Sequence, residues 1–351
     1  MTNLIKILSI DGGGIRGILP GQILISLEKK LQQKSKNPNA RIADFFDLIA
    51  GTSTGGILSC LYLCPDQNGK PRFSAEEAVN LYLQNGGNIF KKKLLREIES
   101  LGGVLEEAFD AAPLETCLQK YFTDIKLSRC IKHCLITAYD IHQRAPFFFR
   151  QRKAKENPDY DFLLWQVARS TSAAPTYFEP SLALSLAGNN FPLVDGGVFA
   201  NNPTLCAYAE ARQIFESGIE ERKISGKKAS VSEMFILSIG TGTVKVPYEY
   251  DHARKWGLAG WARPIIDIMM SGVADTVDYQ LQQIFEAVGH SENYIRLSPD
   301  LAGASEEMSN VSSENLLLLK NAGTKAALTF DAQLERASDI LCESKNDIAN
   351  A

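Results

Sequence analysis

Phe46-Asp-Leu-Ile-Ala-Gly-Thr-Ser-Thr-Gly-Gly-Ile-Leu-Ser-Cys-Leu-Tyr-Leu63 is the stretch on which the reading of this chain turns. It begins as an apolar run of strand length (46–50), passes through Gly51-Thr52-Ser53-Thr54-Gly55, and continues as an apolar helical stretch (54–64). A serine framed by glycines between a strand and a helix is the nucleophile-elbow pattern, a sharp turn that exposes the hydroxyl at a helix N-terminus. The N–H of Thr54, next in the chain, is then placed to bind an oxyanion. The same glycines suggest a phosphate loop, but Ile57-Leu58 stand where that loop needs Lys-Ser/Thr.

Upstream, the apolar run Ile5–Ile10 leads into Asp11-Gly-Gly-Gly-Ile-Arg-Gly17 and then a helical pattern over 19–33. Consecutive glycines leave backbone N–H groups unshielded, and beside a helix N-terminus such groups gather negative charge. Taken literally, Gly12-x-Gly14-x-x-Gly17 also fits the dinucleotide fingerprint, yet 31–43 lacks the acidic residue expected about 20 positions on. Downstream, apolar Leu193-Val194 precedes Asp195-Gly196-Gly197. A carboxylate at a strand end, flanked by glycines, can approach another backbone closely, although Asp-Gly-Gly alone is an ordinary turn.

Further candidate strands lie at 134–139, 146–150 and 234–239, alternating with longer helix-like stretches. That alternation predicts an α/β fold with a mainly parallel central sheet. Asn202-Pro203 reads as a helix start with Asn202 as N-cap. The polar segment 216–232 reads as a surface connection, and from 314 to the end the pattern is helical, with the last ten residues frayed.

Net charge is −4, with 37 basic against 41 acidic residues, which excludes a chain-wide footprint for nucleic acid. No apolar stretch reaches 18 residues and the N-terminus lacks a signal pattern, so the expected location is cytoplasmic, or peripheral at a membrane. The seven cysteines, at 60, 64, 117, 130, 134, 206 and 342, have no metal-ligand spacing and read as buried reduced thiols. Neither metal nor cofactor is expected.

In order, the three glycine-framed turns supply an oxyanion hole, a nucleophile and a base. The chain here resembles the patatin-like phospholipase family, whose blocks are DGGGxRG, GxSxG and DGG/A. Further matches are Ala168-Arg-Ser-Thr-Ser-Ala-Ala-Pro-Thr-Tyr-Phe178 and Ile236-Leu-Ser-Ile-Gly-Thr-Gly242. The segment 256–281 looks like that of bacterial members. The resemblance covers about 4–285 and leaves the C-terminal helices unexplained.

It implies one three-layer α/β/α hydrolase domain over 1–351. Within it, 4–205 form the catalytic core, 206–313 a family-like continuation, and 314–351 C-terminal helices. It also implies a phospholipase A-type lipid acyl hydrolase working through a Ser-Asp dyad. Carried over by position, Ser53 is the nucleophile and Asp195 the base. The amides of Gly12, Gly13 and Gly14 form the oxyanion hole with Thr54, and Arg16 supports the loop. Gly17, Gly51, Gly55, Gly196 and Gly197 are motif glycines. An ordinary aspartate, with a pKa of about 3.9, is a feeble base. Asp195 therefore needs desolvation or a very short hydrogen bond to act as one.

Two other readings remain at this stage: a silent lipid-binding or storage protein on the same fold, and a dinucleotide-dependent enzyme. None of His133, His142, His252 and His290 sits in a glycine-framed motif, although the last two follow Asp195 in the order a triad would use. The run Lys91-Lys-Lys93-Leu-Leu-Arg96 reads as a solvated helix face or an anionic-surface contact. The glycine-hinged aromatic segment 256–281 reads as a cover over an acyl groove, an interfacial contact or core. The expected partners are a phospholipid or other lipid ester and, transiently, a membrane surface. No residue points to a small-molecule regulator or an oligomeric state.

Overall fold

The computed structural model describes residues 4–90, 109–216, 229–242 and 247–346. The basic run 91–96 and most of the polar connection 216–232 lie outside them. The strands are β1 (Ile5–Ile10), β2 (Leu48–Gly51), β3 (His133–Asp140), β4 (Ala145–Arg150), β5 (Ser181–Leu184), β6 (Asn190–Asp195), β7 (Met234–Ile239) and β8 (Tyr294–Leu297). The helices are α1 (Ile18–Lys34), α2 (Thr54–Leu63), α3 (Ala75–Ile89), α4 (Ala112–Phe122), α5 (Gln151–Glu156), α6 (Leu164–Thr171), α7 (Gly197–Ala200), α8 (Thr204–Glu216), α9 (Tyr250–Ala253), α10 (Gly257–Ala287), α11 (Ser313–Thr329) and α12 (Asp331–Asn346).

The eight strands form one mixed sheet in which β3, β2, β1, β7 and β8 run parallel, while β4, β6 and β5 join antiparallel. β1 and β7 are buried along their whole length, as mainly apolar strands are in a sheet covered on both faces, and the polar Lys6, Ser9 and Ser238 within them are buried too. Their side chains alternate between two cores. Ile5, Ile7, Leu48, Ala50, Met234 and Ile236 pack with α8 and α10, whereas Leu8, Ile10, Ile49, Phe235 and Leu237 face the larger core that includes α1, α2 and α3. The result is the expected three-layer α/β/α arrangement.

β3 decides where the site forms. β4 runs along one edge of β3 from Leu135 to Asp140, so β2 and β6 share the other edge. β2 ends at Gly51 opposite Ile136, and β6, running the opposite way, ends at Asp195 opposite Ala138. The two strand ends meet nose to nose, with only Thr137 between their partners.

Three expectations need correction. The segment 256–281 is not hinged at its glycines, because α10 runs unbroken from Gly257 through Gly260 and Pro264. α12 stays helical to Asn346, so order extends further than the fraying expected over the last ten residues. Asn202 does cap α8, accepting the Thr204 N–H at 3.0 Å, but the helix begins at Thr204, one residue after the proline. The C-terminal helices belong to the main body: α12 packs on α1 through Lys30–Asp331 (2.9 Å) and Lys34–Glu335 (2.7 Å).

Candidate active site

Ser53 sits at the turn between β2 and α2 with φ +55° and ψ −121°, a left-handed conformation that a side chain adopts only at a cost. The turn is tight enough that a Cβ on Gly55 would lie 2.1 Å from the Ile10 carbonyl oxygen, and one on Gly51 would lie 2.2 Å from the Gly55 carbonyl. Glycine is required at both positions for that close approach. The backbone N–H of Ser53 donates to Thr171 Oγ1 at 2.9 Å, which holds the turn from α6. Tyr82 on α3 pins the next residue, donating to the Thr54 carbonyl at 2.9 Å and accepting from Thr54 Oγ1 at 2.8 Å.

Asp195 ends β6 and is buried, as is Ser53. Its carboxylate accepts from the Gly197 N–H at 2.7 Å and lies beside the Ser53 hydroxyl on the same cavity wall. Burial pushes its pKa up to about 7, against the opposing pull of the Ser53 hydroxyl and the Gly197 N–H. The desolvation that a lone aspartate base demands is thus present.

The glycine turn after β1 differs from expectation in one respect. The Gly12 N–H donates to the Asn201 carbonyl at 3.1 Å, while the Gly12 carbonyl accepts from Thr241 Oγ1 at 2.7 Å. Gly12 therefore anchors the loop, and its amide is not available to an oxyanion. Among the described residues, no acceptor sits on the N–H groups of Gly13, Gly14 or Thr54. Arg16 spans the turn, donating to the carbonyls of Gly13 (3.3 Å) and Gly242 (3.2 Å). Asn201, Thr241 and Met308 fill the space beside Gly12, Gly13 and Gly14, and that packing, rather than a pyrophosphate, accounts for the three glycines.

Sequence reasoning missed Arg296 altogether. From β8 its guanidinium forks onto Asp11, with Nη1–Oδ1 at 2.9 Å and Nη2–Oδ2 at 2.5 Å, and Nη1 also donates to Ser238 Oγ at 2.8 Å. The pair is buried and fixes the first residue of the glycine turn. Breaking such a pair strands a charge in the interior. Arg296→Gln should therefore cost about 3 kcal/mol of stability or more. Denaturant unfolding measures it, and Asp11→Asn in the same chain should restore part of the loss.

A cavity of about 930 Å³, counting its open mouth, lies beside Ser53 and Asp195. Its walls are apolar, with Ile57, Leu81, Phe90 and Phe178 on one side and Ile266 and Met270 of α10 on another. No histidine lines it. His133 starts β3 at the end away from Asp195, while His142 and His252 are exposed. All seven cysteines are free thiols and none lines the cavity.

The family model described as Patatin-like phospholipase matches residues 8–208, a span that holds the glycine turn, Ser53 and Asp195. Patatin-like protein 2 of rice (Oryza sativa subsp. indica) is 37% identical over 332 residues, covering 90% of this chain and 82% of its own. From potato (Solanum tuberosum), patatin-2-Kuras 3 is 31% identical over 368 residues, covering 100% and 93%. A second potato protein, named probable inactive patatin-3-Kuras 1, is 30% identical over 367 residues, covering 100% and 96%. These relatives are plant proteins, and the likeness to bacterial members read from 256–281 finds no support among them.

Proposed function

This chain belongs to the patatin-like phospholipase family, and from that premise we propose that it is a lipid acyl hydrolase cleaving the carboxylic esters of phospholipids through a Ser53–Asp195 dyad. The observation that carries the reading is Ser53, at its glycine-framed turn, beside a buried carboxyl whose pKa stands at about 7, both on the wall of an apolar cavity. A serine hydroxyl becomes a useful nucleophile only when a positioned base takes its proton. A base poised near neutrality does so without surrendering its driving force.

In the proposed sequence Ser53 Oγ attacks the ester carbonyl carbon as its proton passes to Asp195. The amides of Gly13, Gly14 and Thr54 receive the developing oxyanion, helped by the N-terminus of α2. Arg16, Asn201 and Thr241 keep the glycine turn in place. The tetrahedral intermediate collapses to an acyl-enzyme, and Asp195 returns its proton to the departing alcohol oxygen. Water, deprotonated by the same carboxylate, then attacks the acyl carbonyl, and the fatty acid leaves as Asp195 returns the proton to Ser53 Oγ. The acyl chain lies in the apolar cavity throughout, where roughly 0.8 kcal/mol per buried CH₂ holds it.

A fluorophosphonate probe should label the protein at a single site, and peptide mapping should place the adduct on Ser53. Labelling elsewhere, or none, would remove the serine mechanism. Hydrolysis should also survive EDTA, since amides rather than a metal hold the oxyanion. A second reading is favoured by the cavity itself and by the name of one potato relative: a catalytically silent protein that holds an acyl chain. It predicts fatty-acid binding with no labelling and no turnover.

A further inference from the structure

α10 is packed along only part of its length. Its later turns bury Ala274, Val277, Leu281 and Phe285, a stripe at helical spacing set against the sheet. Its earlier turns send Ile266 and Met270 into the cavity beside Ser53, yet Trp261, Ile265, Ile268 and Met269 remain 40–45% exposed. Positions 261, 265 and 268 share one helix face, and Met269 borders both that face and the cavity. Trp261 packs edge-on to Trp256 at 5.0 Å and Trp256 to Tyr248 at 5.3 Å, giving a cluster of amphipathic rings at one end of the stripe. Charge along 248–270 is balanced, with Glu249, Asp251 and Asp267 against Arg254, Lys255 and Arg263.

We infer that this face of α10 docks the protein onto a zwitterionic lipid surface, with the cavity mouth pressed against the lipid. The inference rests on the hydrolase reading, since the acyl-binding cavity gives the face its direction. Met269 decides the occupant: a protein or a second copy seated on this face would stopper the cavity, whereas a bilayer supplies what the cavity holds. Tryptophan and tyrosine rings suit the boundary between headgroup and acyl chain. The even charge points to apolar insertion rather than attraction to anionic lipid.

The test is co-sedimentation of the full chain with phosphatidylcholine vesicles, beside turnover of a soluble short-chain ester. Wild type and Ser53→Ala should bind vesicles alike, with little change between low and high salt. Ile265→Ser/Ile268→Ser, neither residue lining the cavity, should weaken vesicle binding at least about tenfold while kcat/KM for the soluble ester stays within about twofold. Trp261→Ala should weaken binding in the same direction, and circular dichroism checks that both variants fold. Unchanged vesicle binding in the double variant overturns the inference, as does an equal loss of vesicle binding and soluble-ester turnover, or failure of wild type to bind. A wild-type dimer that the double variant breaks would assign the face to a second copy. Vesicle binding without any ester turnover would overturn the hydrolase reading and leave the docking face standing.

Discussion

Asp195→Asn should lower kcat/KM for a soluble ester on the order of a thousandfold or more, and should at the same time stabilise the fold at pH 8. The first effect follows because an amide cannot accept the serine proton. The second follows from burial. The Asp195 carboxyl has a pKa of about 7 in the folded chain against 3.8 as its ordinary value, so the folded state holds a proton that the unfolded state has already lost. That contribution is fully present below pH 3.8, declines as pH rises, and is gone above about 7. The ionised side chain thus costs at most about 4 kcal/mol at pH 8, and asparagine avoids it. Thermal melts of both proteins at pH 5 and pH 8 measure the difference, which should widen with pH. For wild type, kcat/KM should rise with pH and level off above about 7, as the base ionises. Glutamine at His133, His142, His252 or His290 should leave activity within about tenfold, because none lines the cavity. A folded histidine variant as inactive as Asp195→Asn would replace the dyad with a triad.

Ser53→Ala should remove ester hydrolysis by a similar or larger factor, on the order of a thousandfold upward, without unfolding the protein. Alanine inherits the same positive φ, so backbone strain is unchanged and only one oxygen is lost. The Ser53 hydroxyl pulls the Asp195 carboxyl pKa down. Asp195 in the variant should therefore titrate higher than in wild type, which carboxyl-stretch infrared difference spectra across the pH range would show. Residual activity above about a tenth of wild type would take Ser53 out of the mechanism.

The sequence disclosed what lies close together along the chain. β1 and β7 announce themselves as mainly apolar runs of strand length, and Ser53, Asp195 and the motif glycines carry their own flanks as signals. Residues whose meaning depends on distant partners stayed silent. Arg296 is a single basic residue in Tyr294-Ile-Arg-Leu297, and its partner Asp11 is 285 positions away. The role of Gly12 needed Asn201 beside it, and Thr171 sits within a quoted motif without revealing that it holds the Ser53 amide. α10 departs from local rules, since Gly260 and Pro264 advertise breaks that the helix runs straight through.

The shared edge of β3 acts as a ruler. With β2 ending opposite Ile136 and β6 opposite Ala138, the separation of Ser53 and Asp195 is written in ladder register rather than in any loop. A slip of one residue by β6 would turn Asp195 to the other face of the sheet, and a slip of two would carry it about 7 Å from Ser53. Whatever pins that register, including the contact of Gly196 with Thr137 and the Asp195 N–H donated to Ala173 at 3.0 Å, calibrates the chemistry without meeting the lipid.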